Sequence, residues 1–331
     1  MPGLIQEFAM IGGSQGMLKT IFPSKSHEED RPSKWNFLLT IFSGLILALI
    51  VGLVLLAPLL EHLVVGEASK IDLFNRHKGP SLKHLLGTDE LGRDLLLRLL
   101  YAGRISLLVG IVSALLTALI GVIIGLSAGY YGGWVDSILM RFTDSVIALP
   151  LLPLLIVLAA TDLTKLGLPQ NLGNSPEAAL YRIIFIISLV GWTTVARLTR
   201  ASVISLREQE FVLAAKSHGA STIRVMFGHI LPNSISPILV ATTLTVGNVI
   251  LLESVLSFLG LGIQPPTPTW GNMLTNAQDV IFEAPMAAVW PGLLIFLTVV
   301  SINLLGDSAK STLDPKSMNY VALRKPKIHS N

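Results

Sequence analysis

Apolar residues gather along the chain into six long runs, at about 37–58, 105–129, 139–160, 181–199, 236–260 and 287–305, separated by charged or turn-forming stretches. A hydrocarbon core of about 30 Å needs roughly 20 helical residues at about 1.5 Å each, and the runs meet that length. The pattern predicts an all-α, polytopic membrane protein with about six transmembrane helices. About 36 polar residues precede the first run, which is too long for a signal peptide and has no small-residue cleavage site after it; it reads as a retained anchor. The expected organisation is a cytoplasmic N-terminal tail at 1–36, a first transmembrane helix at 37–60, an extracytoplasmic loop at 61–104, a helical core at 105–306 with a cytoplasmic loop at 201–233, and a cytoplasmic C-terminal tail at 307–331.

Composition sharpens this picture. Of 331 residues, 51% are apolar and 14% charged, against about 25% charged in soluble domains, which excludes a soluble enzyme. The chain has no cysteine, so disulfides, thiolate nucleophiles and cysteine metal sites are excluded. The net charge of +3 comes from basic residues that flank apolar runs, where they set orientation and do not form a nucleic-acid stripe. Arg197, Arg200, Arg207, Lys216 and Arg224 lie around the 201–233 loop, Lys310, Lys316, Arg324, Lys325 and Lys327 lie in the C-terminal tail, and the 261–286 loop holds no Lys or Arg. These counts place both termini in the cytoplasm. The 61–104 loop runs against the rule, with Lys70, Arg76, Lys78, Lys83, Arg93, Arg98 and Arg104 on the outer side.

Within the runs, Gly121, Gly125 and Gly129 form a doubled G-x-x-x-G that permits close helix packing, and Pro150 and Pro153 predict a kink. Charged and amide groups in hydrocarbon are costly and face a bundle interior or a wet path. The candidates are Glu253 with Asn248, the Arg141 and Asp144 pair one turn apart, and Asn303. For Glu253, a structural hydrogen-bonding role and a pathway role both remain open. The Ala309-Lys310-Ser311 stretch lacks the glycines of a phosphate loop, and there is no H-E-x-x-H or G-x-S-x-G. The chain is therefore expected not to hydrolyse ATP, and no metal or catalytic residue is assigned.

The 201–233 loop is too long for a tight turn. Val212, Ala215, Gly219, Ile223 and Met226 recur at helical spacing, predicting a short helix over 210–224, and Ala214, Ala215, Gly219 and Ala220 leave one face without bulk. Pro232 is expected to end this element. Two readings of the helix stand on periodicity alone, a protein-docking face and an amphipathic helix on the membrane surface.

The run Glu210, Phe211, Val212, Ala214, Ala215, Gly219, Ala220, Ser221, Arg224, His229, Ile230, Leu231, Pro232, Asn233 resembles the EAA loop of permease subunits of bacterial ABC importers. Gly87-Thr88-Asp89-Glu90-Leu91-Gly92-Arg93-Asp94 with Arg104-Ile105-Ser106-Leu107 resembles the segment before the core in C-type permeases of dipeptide, oligopeptide and nickel importers. Glu253, Leu256 to Gly262, Pro265, Pro266, Pro268, Trp270 and Gly271 are similar to that family's last outer loop, and Asn303, Gly306, Asp307, Leu313, Asp314 and Pro315 to its C-terminal end. The resemblance covers about 84–315 and departs at Leu213, where the eponymous glutamate normally stands.

It implies a MetI-like, type I ABC importer permease with a five-helix core plus the N-terminal helix, in the bacterial inner membrane. The implied partners are a homologous B-type permease, two cytoplasmic ATPases that carry ATP and Mg2+, an extracytoplasmic solute-binding protein and membrane lipid, with no nucleic acid. Glu210, Leu213, Ala214, Ala215, Gly219, Ala220, Ser221, Arg224, Leu231 and Pro232 would then couple to an ATPase. Asp89, Glu90, Arg93, Asp94 and Trp270 would face the binding protein. Peptide is the favoured cargo, with nickel or another small solute as the alternative. An ion-coupled secondary transporter and a membrane assembly protein are the readings from other classes; ATP dependence separates the first, and co-purification with ATPases the second.

Overall fold

A computed structural model of the chain describes residues 34–63, 68–161, 176–275 and 281–313. Packing divides the chain into Met1–Leu39 and Thr40–Asn331, and the described part of the first unit is the start of one helix. The helices are α1 (Lys34–Leu55), α2 (Ala57–Leu63), α3 (Leu95–Tyr131), α4 (Gly133–Ala148), α5 (Leu151–Ala160), α6 (Pro176–Gly191), α7 (Thr193–Leu206), α8 (Glu210–Ser217), α9 (Thr222–Arg224), α10 (Leu231–Phe258) and α11 (Pro285–Leu313). Among the described residues, the only β pairing is an isolated bridge between Thr88 and Asp94. Four stretches, Phe37–Leu55, Leu95–Tyr131, Thr222–Phe258 and Pro285–Lys310, are long and apolar enough to span a bilayer. Two bent pairs raise the number to six: α4 with α5 at 84°, and α6 with α7 at 43°.

The breaks have local causes. Leu149 is extended at φ −76° and ψ 136° because Pro150 disfavours the helical region for its predecessor. Pro150 then caps α5. Pro153 falls in the first turn of α5, where the missing N–H leaves no bond unmade, so the bend belongs to Pro150 alone. The helix expected from residue 105 begins ten residues earlier, because the Asp94 carboxylate accepts the Leu97 N–H at 2.9 Å as an N-cap. Residues 95–104 are thus helix rather than outer loop. At the other end Gly132, at φ +65°, turns the chain into α4.

Three apolar clusters hold the bundle. Ile50, Val54 and Ala57 meet Leu99, Ile250 and Trp270. Val109, Leu155, Ile183, Val249 and Leu256 unite α3, α5, α6 and α10. Leu126, Val203, Val212, Val225, Met226 and Ile230 form a third cluster where α3 and α7 end. The glycine face of α3 lies directly on α7. A Cβ on Gly125 would stand 2.4 Å from the Ala196 carbonyl oxygen, on Gly121 2.7 Å from the Val195 Cβ, and on Gly129 2.8 Å from the Val203 Cβ. Only glycine allows the two backbones to approach this closely.

Candidate functional site

Between α7 and α10 the chain forms a compact stub. Helix α8 starts at Glu210, whose charge suits the N-terminal end of the helix dipole. It stops at Gly219, which adopts φ +78°. The Gly219 N–H donates to the Lys216 carbonyl at 3.0 Å and the Ala220 N–H to the Ala215 carbonyl at 3.1 Å, the paired bonds of a Schellman turn. The single helix expected over 210–224 is therefore two elements. Ser221 caps the second, accepting the Arg224 N–H at 3.4 Å, and a π-helical turn, Val225–Ile230, leads into α10. Pro232 lies in the first turn of α10 and so begins that helix instead of ending the preceding element, since a first-turn proline needs no N–H partner.

Val212 is buried against Val225, Met226 and Ile230, while Phe211, Leu213, Ile223 and Phe227 are 42% to 71% exposed. Glu210, Ala214, Gly219, Ser221, Arg224 and Pro232 are exposed, and Ala215, Ala220 and Leu231 half-buried. Arg207 Nη1 donates to the Gly129 carbonyl at 2.9 Å, and Lys216 Nζ sits 5.0 Å over the Tyr130 ring. The stub is thus braced to the end of α3 and exposes Phe211, Leu213, Ile223 and Phe227 among polar neighbours such as Glu210, Ser221 and Arg224.

A groove of about 1080 Å³ runs between α4 and α5, α6 and α7, and one face of α10. Asn248 lines it with Ser236, Thr245, Thr193 and Thr194, and its charged lining consists of Arg197 and Lys310. The other expected pathway groups lie elsewhere. Asp144 pairs with Arg197 at 2.5 Å and not with Arg141, because α4 packs on α7. Arg200 makes the neighbouring rung, donating to both oxygens of Asp136 at 2.5 and 2.6 Å. Asn303 faces Gly247 across the contact of α10 with α11.

Glu253 is fully buried at the far end of α10 and organises the loop that follows. The Ser106 and Ser257 hydroxyls donate to its two oxygens at 3.1 and 2.7 Å. Each hydroxyl in turn accepts a loop N–H at 3.2 Å, Trp270 on Ser106 and Ile263 on Ser257. Trp270 is also fully buried, its indole N–H on the Leu99 carbonyl at 3.0 Å. It presents no surface to a partner, which corrects its expected docking role.

The same correction applies to three charged residues of the 68–94 segment. Asp89 accepts from Arg93 at 2.8 Å and lies 3.2 Å from Arg98, and all three are buried. Asp94 caps α3 and contacts His84 Nδ1 at 3.0 Å. Opposite charges close in sequence met each other, not solvent. Glu90 is half-buried and engaged with its neighbours. The segment exposes Ile71, Leu73, Phe74, Leu82 and Leu85 together with Lys70, Arg76, Lys78 and Lys83; the sequence singles out only the four cations. Nearby, Glu61 accepts from the Tyr101 phenol and, at 2.8 Å, from the Ala68 N–H. These bonds, the phenol's first, hold its carboxyl below the ordinary glutamate value. Asp314 and Pro315 lie outside the described residues, as does nearly all of the N-terminal tail. No group of His, Cys, Asp and Glu among the described residues has metal-binding geometry.

Comparison with known proteins places this architecture. The family described as "Binding-protein-dependent transport system inner membrane component" matches residues 121–319. The dipeptide transport system permease protein DppC of Alkalihalophilus pseudofirmus is 40% identical over 270 residues, covering 82% of this chain and 84% of the relative. The glutathione transport system permease protein GsiD of Pectobacterium atrosepticum is 37% identical over 275 residues, covering 83% and 86%. A chain of the MetNI methionine ABC transporter in inward-facing form aligns with a TM-score of 0.47 and 17% identity, over 65% of this chain and 95% of that one. The chain belongs to the family of binding-protein-dependent transport system inner-membrane components, the multi-pass permease subunits of ABC importers.

Proposed function

We propose that this chain is the C-type permease of an importer for di- or oligopeptides, paired with a homologous B-type permease, two cytoplasmic ATPases and an extracytoplasmic solute-binding protein. The observation that carries the reading is the stub at 210–230, which is packed on its buried side through Val212 and exposes Phe211, Leu213, Ile223 and Phe227, at a break between two spans. Exposed contiguous apolar residues rimmed by charge suit a protein partner. The dipeptide and glutathione names of the relatives support a peptide cargo.

In this reading ATP and Mg2+ belong to the ATPases, and the chain itself carries no cofactor and no hydrolytic step. Phe211, Leu213, Ile223 and Phe227 seat the stub on one ATPase, with Glu210, Ala214, Ala215, Gly219, Ala220, Ser221 and Arg224 shaping it and Leu231 and Pro232 joining it to α10. When the ATPase pair closes, the stub moves as one body. Val212 and its cluster pass the displacement to α3, α7 and α10, packed elements that move between discrete arrangements. The groove lined by Asn248 is this chain's half of the path, both termini are cytoplasmic, and the 68–94 and 259–275 segments face the binding protein.

Purification from the native membrane in mild detergent tests this. Two ATPases and a second permease are expected to accompany the chain, with ATP hydrolysis stimulated by peptide-loaded binding protein. A chain that purifies alone and accumulates solute on an ion gradient overturns the proposal.

A further inference from the structure

The two rungs between α4 and α7 differ in a way that bears on cargo. Arg200 gives both Nε and Nη2 to Asp136, closing a two-bond fork. Arg197 meets Asp144 through Nη2 alone, with 52% and 59% of the two side chains exposed. A guanidinium carries five donors in a planar fork matched to a carboxylate, so Arg197 keeps most of its fork open. Its side chain lines the groove. A half-exposed ion pair within a membrane-spanning segment is costly against acyl chains or an apolar helix, and tolerable facing water. In the importer reading this side of the groove faces water. The charged groups lining it are both cations, Arg197 and Lys310, and no carboxylate lines it among the described residues.

This inference rests on the importer reading above. We propose that Arg197 and Lys310 form a station for a carboxylate of the transported solute. Asn248 on α10 offers a neutral amide donor along the same wall. The incoming carboxylate takes the open part of the Arg197 fork, beside or in place of Asp144. The ligand class is a small solute with a free carboxylate, and an extra acidic side chain strengthens the contact. Asp136 and Arg200, fully matched to each other, serve as the structural counterpart.

The test is turnover of glycyl-glycine and of its carboxyl-amidated form, glycyl-glycinamide, by the whole complex in proteoliposomes, each delivered by saturating binding protein so that the receptor's own preference drops out. Arg197→Gln is expected to lower glycyl-glycine turnover at least tenfold more than glycyl-glycinamide turnover, with Arg197→Lys restoring part of the difference. Lys310→Gln, at an exposed helix end, is the second variant and shifts the ratio in the same direction. Equal losses of both peptides, or an unchanged ratio in both variants, overturn the station. Recovery of the normal ratio by the charge-swapped pair Asp144→Arg with Arg197→Asp also overturns it, since the pair is then only a strut. If the unaltered complex shows no ATP-driven uptake of either peptide, the importer reading fails instead.

Discussion

Glu253 lies in a hydrophobic span, yet its carboxyl accepts from two serine hydroxyls, each of which orders a loop N–H. Geometry thus assigns it to holding the loop that follows α10, away from the groove lining. Glu253→Gln replaces one acceptor oxygen by a donor, so one serine loses its acceptor at a cost of about 1–3 kcal/mol. Amide exchange at Ile263 and Trp270 is expected to quicken in that variant, and unchanged exchange would refute the clasp. At Gly219 the positive φ, with open space around the Cα, makes conformation the constraint: Gly219→Val strains the turn by roughly 1–2 kcal/mol and is expected to abolish uptake with the complex still assembled, whereas Gly219→Asn keeps partial activity. Glu61 supplies a pH test. Its lowered carboxyl pKa means that the bonds to Tyr101 and Ala68 stabilise the fold above the ordinary glutamate value and are lost as pH falls through the lowered one. The thermal midpoint of the unaltered chain is expected to exceed that of Glu61→Gln at neutral pH and to converge with it in acid.

At the scale of elements, the contact of α3 with α7 sets the spacing of the two helices whose ends carry the stub's apolar cluster. Gly125→Leu forces the backbones apart, and overpacking of this kind costs roughly 1–3 kcal/mol. It is expected to lower the thermal midpoint and uptake together, whereas Gly52→Ala and Gly292→Ala, with nothing within 4 Å, leave both unchanged. That joint was legible in the sequence, because three glycines four apart occupy one helical face whatever the partner. Pro150 was legible for the same local reason. The true start of α3 was obscured by Arg98 and Arg104, which read as loop charges although Arg98 is buried beside Asp89. The Asp144 partner was invisible, since Arg197 lies 53 residues away and helix spacing favours the nearer Arg141. The resemblance places Asp89, Arg93 and Trp270 toward a binding protein, and only the fold reveals that they pack inward.

For the whole molecule, the central claim is that motion enters at the stub and reaches a groove beside α10. The absence of cysteine makes a single introduced thiol the one thiol of this chain. The most direct measurement is cross-linking in the assembled complex from Leu213→Cys, with Leu82→Cys on the outer segment as the control. The account predicts that Leu213→Cys cross-links to one ATPase subunit with a yield that changes on ATP binding, while Leu82→Cys does not reach either ATPase. An ATPase cross-link from Leu82→Cys, or none from Leu213→Cys under any nucleotide condition, would contradict it.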